Sequence, residues 1–154
     1  MNINFANHDG LALGRRRYTN ARPGLRTVTF NGLPIKIEIE AGDVRSGVGE
    51  DGRPWSHEYA VPYGEISSSR ALSDSDGVDV YLGPGPETSM VYVVHQLRRD
   101  GSYDEDKCML GFPSSGEAVL AYKRHAPTWG FGTMDTLTWD QFLHGYLASN
   151  RKHG

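Results

Sequence analysis

The chain has 154 residues, with 16 Lys and Arg against 19 Asp and Glu, a formal net charge of −3 and a pI near 6.0. That length suits one domain able to bury its own core, and the slight acidity argues against an extended nucleic-acid surface, so any basic residues that matter must act locally. The lone cysteine, Cys108, excludes an internal disulfide and a thiolate zinc cluster; no stretch reaches the length of a membrane span and the N-terminus lacks a basic-then-apolar leader, so a cytoplasmic protein is expected.

Residues 1–26, rich in Asn, Gly and Arg and including Arg15, Arg16 and Arg17, hold no sustained period and read as a loosely ordered arm. Residues 27–150 read as the single domain. From Val28 the pattern changes: Ile35, Ile37 and Ile39 alternate with Lys36, Glu38 and Glu40, the period of a half-buried strand, which puts Lys36 and Glu38 on one face. Gly42, Gly47, Gly49, Gly52 and Pro54 mark turns or a flexible hairpin that also carries Arg45 and Arg53. Tyr63-Gly64-Glu65-Ile66 and a serine-rich turn precede Asp74-Ser75-Asp76-Gly77-Val78-Asp79 and a strand through Leu82, which Gly83-Pro84-Gly85-Pro86 stops. A strand over 90–97, an acidic turn at Asp100-Gly101 and a strand over 107–112 follow. Cys108 lies in the apolar run to Phe112 and reads as a buried structural thiol, because reactive thiolates need electropositive, partly exposed surroundings; only the neighbouring Lys107 favours a nucleophile. Ser114 and Glu117 form a capping-box pattern opening a helix to about Arg124, and Thr138 with Gln141 repeats the device before Phe142, Leu143, Tyr146 and Leu147. The expected fold is α+β, a small mixed or closed sheet with both C-terminal helices packed on it.

Three carboxylates within six residues, Asp74, Asp76 and Asp79, suit a divalent cation. The loop is not an EF-hand, since Val78, Asp79 and Gly85 stand where an oxygen ligand, glycine and glutamate belong; the remaining reading is an Asp/Ser/Gly surface turn. A second acidic group, Asp100, Asp104, Glu105 and Asp106, arrives just before Lys107. Carboxylates on adjacent strands could hold two cations about 4 Å apart that activate a water and neutralise a phosphate. Lys36, Lys107 and Lys123, with Arg45 or Arg53, could bind the outer phosphate oxygens. Trp55, Trp129 and Trp139 read as core or rim anchors, and the six histidines show no metal-ligand spacing.

These residues resemble the family I soluble inorganic pyrophosphatases, whose signature is Asp-x-Asp-Pro-x-Asp followed by an aliphatic residue. Here Asp74 to Val80 carries it with Gly77 in place of proline. Lys36-Ile37-Glu38 is similar to the family's Lys-Tyr-Glu strand, Tyr63-Gly64-Glu65-Ile66 to its Tyr-Gly-Tyr/Phe-Ile segment, Glu105-Asp106-Lys107 to its acidic turn ending in Asp-x-Lys, and Tyr122-Lys123 to its helical pair. The chain looks closer still to a compact, phage-associated branch, through Val78-Asp79-Val80-Tyr81-Leu82-Gly83-Pro84, the run from Asp104 to Phe112, and the later Trp129-Gly130 and Phe142 segment. The family's glutamate upstream of the early lysine has no counterpart; Thr27 and Thr29 stand there. The resemblance implies an OB-type barrel and Mg²⁺-dependent hydrolysis of inorganic pyrophosphate to two phosphates by a metal-activated water, with Mn²⁺ as the other candidate ion. It implies metal ligation by Asp74, Asp76, Asp79, Asp100 and Glu105, with Asp76 the base. Asp76, Lys36, Tyr63 and Lys107 would be catalytic, and Lys36, Arg45 or Arg53, Tyr63, Lys107, Tyr122 and Lys123 would bind substrate, Arg45 being preferred to Arg53. The alternatives are hydrolysis of another phosphoanhydride, a nucleotide or diphosphate, and a non-catalytic phage-associated metal-binding or interaction domain. Expected partners are a small phosphate substrate and either a second copy or a phage protein, in the host cytoplasm if the chain is phage-encoded.

Overall fold

The computed structural model describes residues 25–49, 51–66 and 77–149. The expected arm up to residue 24, and Asp74 and Asp76, lie outside the described residues. Among the described residues nine strands form: β1 Thr27–Phe30, β2 Leu33–Ile39, β3 Val44–Val48, β4 Pro54–Glu58, β5 Tyr63–Ile66, β6 Val78–Leu82, β7 Val91–Leu97, β8 Tyr103–Leu110 and β9 Phe131–Leu137. Seven of them make one sheet in the order β1-β2-β5-β6-β8-β7-β9, and β3 with β4 makes a separate two-stranded hairpin. The expected closed, OB-type barrel is therefore corrected to an open sheet whose edges are β1 and β9. All neighbours are antiparallel except β6 and β8, which run parallel with Val80 beside Cys108.

Alternation builds the two faces. Ile35 and Ile37 of β2, Ile66 of β5, Val78 and Val80 of β6, Val93 of β7 and Cys108 of β8 bury one face. The C-terminal helix covers it. That helix opens as α2, Trp139–Gln141, passes through a π turn at Phe142–Tyr146 and seats Phe142 and Leu147 in the core. Tyr63, Tyr81, Tyr92, Val94 and Met109 bury the opposite face. There α1, Ser115–His125, lays down Ala118, Tyr122 and His125, spaced four and three residues apart so that they share one helix face. The Ser114 hydroxyl caps α1 by accepting from the Glu117 amide, and Thr138 and Gln141 make a complete capping box at α2.

Gly64 allows β5 to lie close on β2. A Cβ there would fall 2.0 Å from the Lys36 carbonyl oxygen, beside the bulge between Ile37 and Ile39. The bulge re-aims the strand so that Tyr63 pairs with Ile39 and Tyr81 on the α1 face. That is the face on which the charged residues collect.

Candidate functional site: a lysine held between carboxylates

Across the α1 face, register lines up Thr27 with Lys36, Lys36 with Glu65, and Glu65 with Asp79. Lys107 completes the row from β8, the parallel neighbour of β6. Its ammonium donates to Asp79 Oδ2 at 2.8 Å, Glu105 Oε2 at 2.7 Å and the Tyr63 hydroxyl at 2.8 Å. An ammonium has three protons, so these oxygens use all of them.

Lys107 is 2% exposed. Burial opposes its charge, but the Tyr63, Asp79 and Glu105 oxygens outweigh that cost and hold its pKa well above the ordinary lysine value. Burial likewise pushes Tyr63 well above the usual phenol range, against the pull of Lys107. At neutral pH Lys107 is thus an ammonium and Tyr63 a neutral phenol. Asp79 is nearly enclosed, whereas the Glu105 side chain is 45% exposed and is the ligand of Lys107 that can leave at least cost.

The other expected residues divide. Tyr122 is fully buried and donates to Gln96 Oε1 at 2.7 Å, and Gln96 Nε2 donates in turn to Asp104 Oδ2 at 2.9 Å. Tyr122 therefore reaches the acidic strand end through Gln96. Lys123 is exposed, with Nζ 5.2 Å from the Phe131 ring centroid. Arg45, on β3, is 2% exposed and donates to the Tyr59 hydroxyl at 3.3 Å, while the Arg53 side chain is 81% exposed in the hairpin turn beside Asp51. Tyr59 and Tyr63 stand ring to ring, centroids 6.1 Å apart, which links Arg45 to the lysine row. Asp100 accepts from the Ser102 amide and hydroxyl in the β7–β8 turn, and these bonds hold its carboxyl below the usual range. Among the described residues no hydrogen bond or ion pair joins Asp100 to Asp79 or Glu105. Lys36 is exposed on the row. Cys108 is wholly buried, and burial drives its thiol pKa far up, so the structural reading holds over a nucleophile.

Two groupings were not legible beforehand. Glu65 enters the row, and its signal was present, since it stands two residues from Tyr63 and so shares its face. Asp106, expected among the acidic cluster, points to the opposite face because it precedes Lys107 by one. It accepts there from His95 Nδ1 at 2.7 Å, Tyr103 at 2.8 Å and Tyr146 at 2.6 Å.

Asp79 and Glu105 already converge on one cation, the lysine ammonium, and their donors are all oxygen, which suits Mg²⁺ or Mn²⁺. Among the described residues no group of three or more His, Cys, Asp or Glu side chains converges to hold a metal ion. One or two carboxylates with water and phosphate oxygens are what Mg²⁺ uses, and the row supplies that number.

The class the fold defines is α+β, a mostly antiparallel sheet that carries a buried lysine between two carboxylates on the face covered by α1. Residues 17–145 match the family described as Inorganic Pyrophosphatase, and the chain belongs to that family. No curated protein and no solved structure matches it.

Proposed function

We propose that the chain hydrolyses inorganic pyrophosphate in the presence of Mg²⁺. The observation that carries this reading is the Lys107 ammonium set among Asp79, Glu105 and Tyr63 on the sheet face, inside the segment matched to the family. Hydrolysis breaks one P–O bond of the anhydride, adds water across it and yields two phosphates. Mg²⁺, when bound, neutralises phosphate charge and lowers the pKa of a water; Asp79 and Glu105, with Asp74 and Asp76 from the signature, are the residues that would hold it.

The chain's own contribution is positioning and fixed charge. Because all three protons of Lys107 are engaged, a phosphate oxygen can be bound only by releasing one partner, and Glu105 is the most exposed of them. Pyrophosphate therefore takes the place of Glu105 on Lys107, which leaves the Glu105 carboxylate as one of the groups that would hold Mg²⁺. Asp79 stays and keeps the ammonium in place. Tyr63, a neutral phenol that accepts from Lys107, retains its own proton for a phosphate oxygen. Lys36 and buried Arg45 supply the outer positive charge, with Tyr122 and Lys123 on α1 at the margin. Asp76 takes the proton of the attacking water.

The test is phosphate release from pyrophosphate by the purified protein with Mg²⁺, with chelator, and with Asp76→Asn and Lys107→Met. Metal-dependent release lost in both variants supports the reading. A folded wild type that releases no phosphate from pyrophosphate, yet does so from a nucleoside triphosphate, would transfer the site to another phosphoanhydride; release from neither would leave a binding domain.

A further inference from the structure

We propose that Gln96 is a positioning residue of the site: its amide fixes which way the Tyr122 hydroxyl proton points, and it pins the bulge at Asp104 that brings Glu105 beside Lys107 on the α1 face. The proposal rests on the pyrophosphatase reading for the reaction it serves, but the relay itself stands on hydrogen bonds outside the Lys107 cluster.

Counting protons gives the relay its direction. Gln96, 3% exposed on β7, donates from Nε2 to Asp104 Oδ2 at 2.9 Å and accepts at Oε1 from the Tyr122 hydroxyl at 2.7 Å. A carboxylate has only acceptors, and a carboxamide carries its protons on one end. Turning the amide over would set Oε1 against an Asp104 oxygen, so Asp104 decides that Oε1 meets the phenol. A tyrosine hydroxyl has one proton, and here it is spent on Gln96. Burial drives the Tyr122 pKa far up and keeps that proton on the ring oxygen. Phosphate oxygens need donors, and Tyr122 has none left to give, whereas the Tyr63 hydroxyl accepts from Lys107 and keeps its proton for substrate. Gly130 lies against the Tyr122 hydroxyl, since a Cβ there would fall 2.8 Å from its oxygen.

The relay is anchored where the sheet breaks step. Gln96 pairs with Glu105 but Leu97 pairs with Tyr103, so Asp104 is the extra residue of a bulge on β8. On its other side His95 pairs with Thr133 and Gln96 with Phe131, so Gly132 is the extra residue of β9. Gln96 is thus the β7 residue at which both neighbours change register. Successive residues of a regular strand face opposite sides, and a bulge re-aims one of them. Asp104 would otherwise share a face with Asp106, which bonds His95 and Tyr146 on the far side. Instead Asp104 bonds Gln96 on the α1 face, and the next residue, Glu105, bonds Lys107 on that same face. Glu105 is the partner that leaves Lys107 when phosphate binds, so its backbone must stay fixed for the freed carboxylate to be placed. Gln96, tied to α1 through Tyr122 and to the bulge through Asp104, supplies that hold.

The experiment reads the relay first without substrate, from the tyrosine doublet of the Raman spectrum, whose intensity ratio separates a phenol that donates from one that accepts. Subtracting the spectrum of Tyr122→Phe from that of wild type isolates Tyr122; a donor's ratio is expected, and an acceptor's overturns the proposal. The second reading is steady-state hydrolysis of pyrophosphate with Mg²⁺. Gln96→Glu keeps an acceptor for Tyr122 but sets oxygen against an Asp104 oxygen, and it is expected to lower kcat at least about tenfold with KM within about threefold of wild type. The split arises because the relay meets Glu105 rather than Lys107, Asp79 and Tyr63, which meet the phosphate. Adding Asp104→Asn to Gln96→Glu restores the bond with its direction reversed and should recover most of kcat, a rescue that a side chain merely filling space would not show. Circular dichroism establishes folding; if Gln96→Glu alone does not fold, the double variant must fold and turn over. Folded Gln96→Glu with kcat within about twofold of wild type overturns the proposal, as does a double variant no better than the single. A donor signature at Tyr122 in a protein that leaves pyrophosphate intact sinks the pyrophosphatase reading and keeps the relay. Full hydrolysis with an unchanged kcat in Gln96→Glu does the reverse.

Discussion

Lys107 sits in two ion pairs of unequal weight. The one to Asp79 is enclosed, with side chains 3% and 10% exposed, while Glu105 is 45% exposed. Removing one member of a buried pair strands the other charge and costs about 3–5 kcal/mol, whereas an exposed pair is worth about 0–1 kcal/mol. Lys107→Met should therefore destabilise the protein by about 3–5 kcal/mol in urea unfolding, and Glu105→Gln by less than about 1 kcal/mol. Asp79→Asn in the Lys107→Met background should recover part of the loss; strict additivity in that cycle would show that the pair is not coupled. Glu105 and Lys107 were readable as neighbours because they stand two apart on one strand and so share a face, whereas Asp79 joins them from β6 only through the parallel register with β8. The choice of arginine was not readable, since Arg45 and Arg53 share a glycine-rich segment and only the hairpin's register buries the first and leaves the second in solvent.

Strand β7 joins β8 and β9 through one imidazole. His95 Nδ1 lies 2.7 Å from Asp106 Oδ1 and Nε2 lies 3.0 Å from Asp135 Oδ2, so both nitrogens meet carboxylates and both must carry protons to bond them. Partial burial lowers the pKa, the bonds to Asp135 and Asp106 raise it, and the net is a value above the ordinary 6.5. A raised cationic pKa stabilises fully below the unfolded value and loses that contribution as pH climbs through the folded one. The melting temperature should thus fall as pH rises above about 6.5, and His95→Gln should flatten that slope; an unchanged slope would place the effect elsewhere. Asp106 also accepts from Tyr146, so the same imidazolium supports the seat of the C-terminal helix. That helix begins with the Thr138 and Gln141 box, and Thr138→Ala should cost about 1 kcal/mol in urea unfolding. The box was legible because capping is local chemistry. β9 escaped notice because Phe131–Leu137 is a partly exposed edge strand that opens with Phe131-Gly132, leaving little apolar alternation to read. Barrel closure, implied by family resemblance, depends on whether the first and last strands meet, which no local pattern records.

The described residues form one seven-stranded sheet with a helix on each face, beside the separate β3–β4 hairpin, and the sheet's centre is the parallel contact of β6 and β8. Cys108, on β8, is fully buried between Val80 and Val93, one residue along the chain from Lys107 and on the opposite face. Alternation along a single strand therefore ties the charged face to the apolar core: β8 cannot expose one without releasing the other. The thiol is a reporter of that coupling. A thiolate reagent reaches Cys108 only when the centre of the sheet opens, and with a stability of at least about 5 kcal/mol its labelling should run at least roughly 10³-fold slower than that of a free cysteine. Since 1.4 kcal/mol is a factor of ten, a Lys107→Met loss of about 3–5 kcal/mol should speed labelling roughly 10²–10³-fold without added denaturant. If the variant instead unfolds more easily in urea while Cys108 stays as protected as in wild type, the charged face opens by itself. The carboxylate row would then be a local structure laid over an independently stable core. Acceleration matching the urea measurement would make site and core a single cooperative unit, in which ligands that order the row, Mn²⁺ first among them, must slow Cys108 labelling as well.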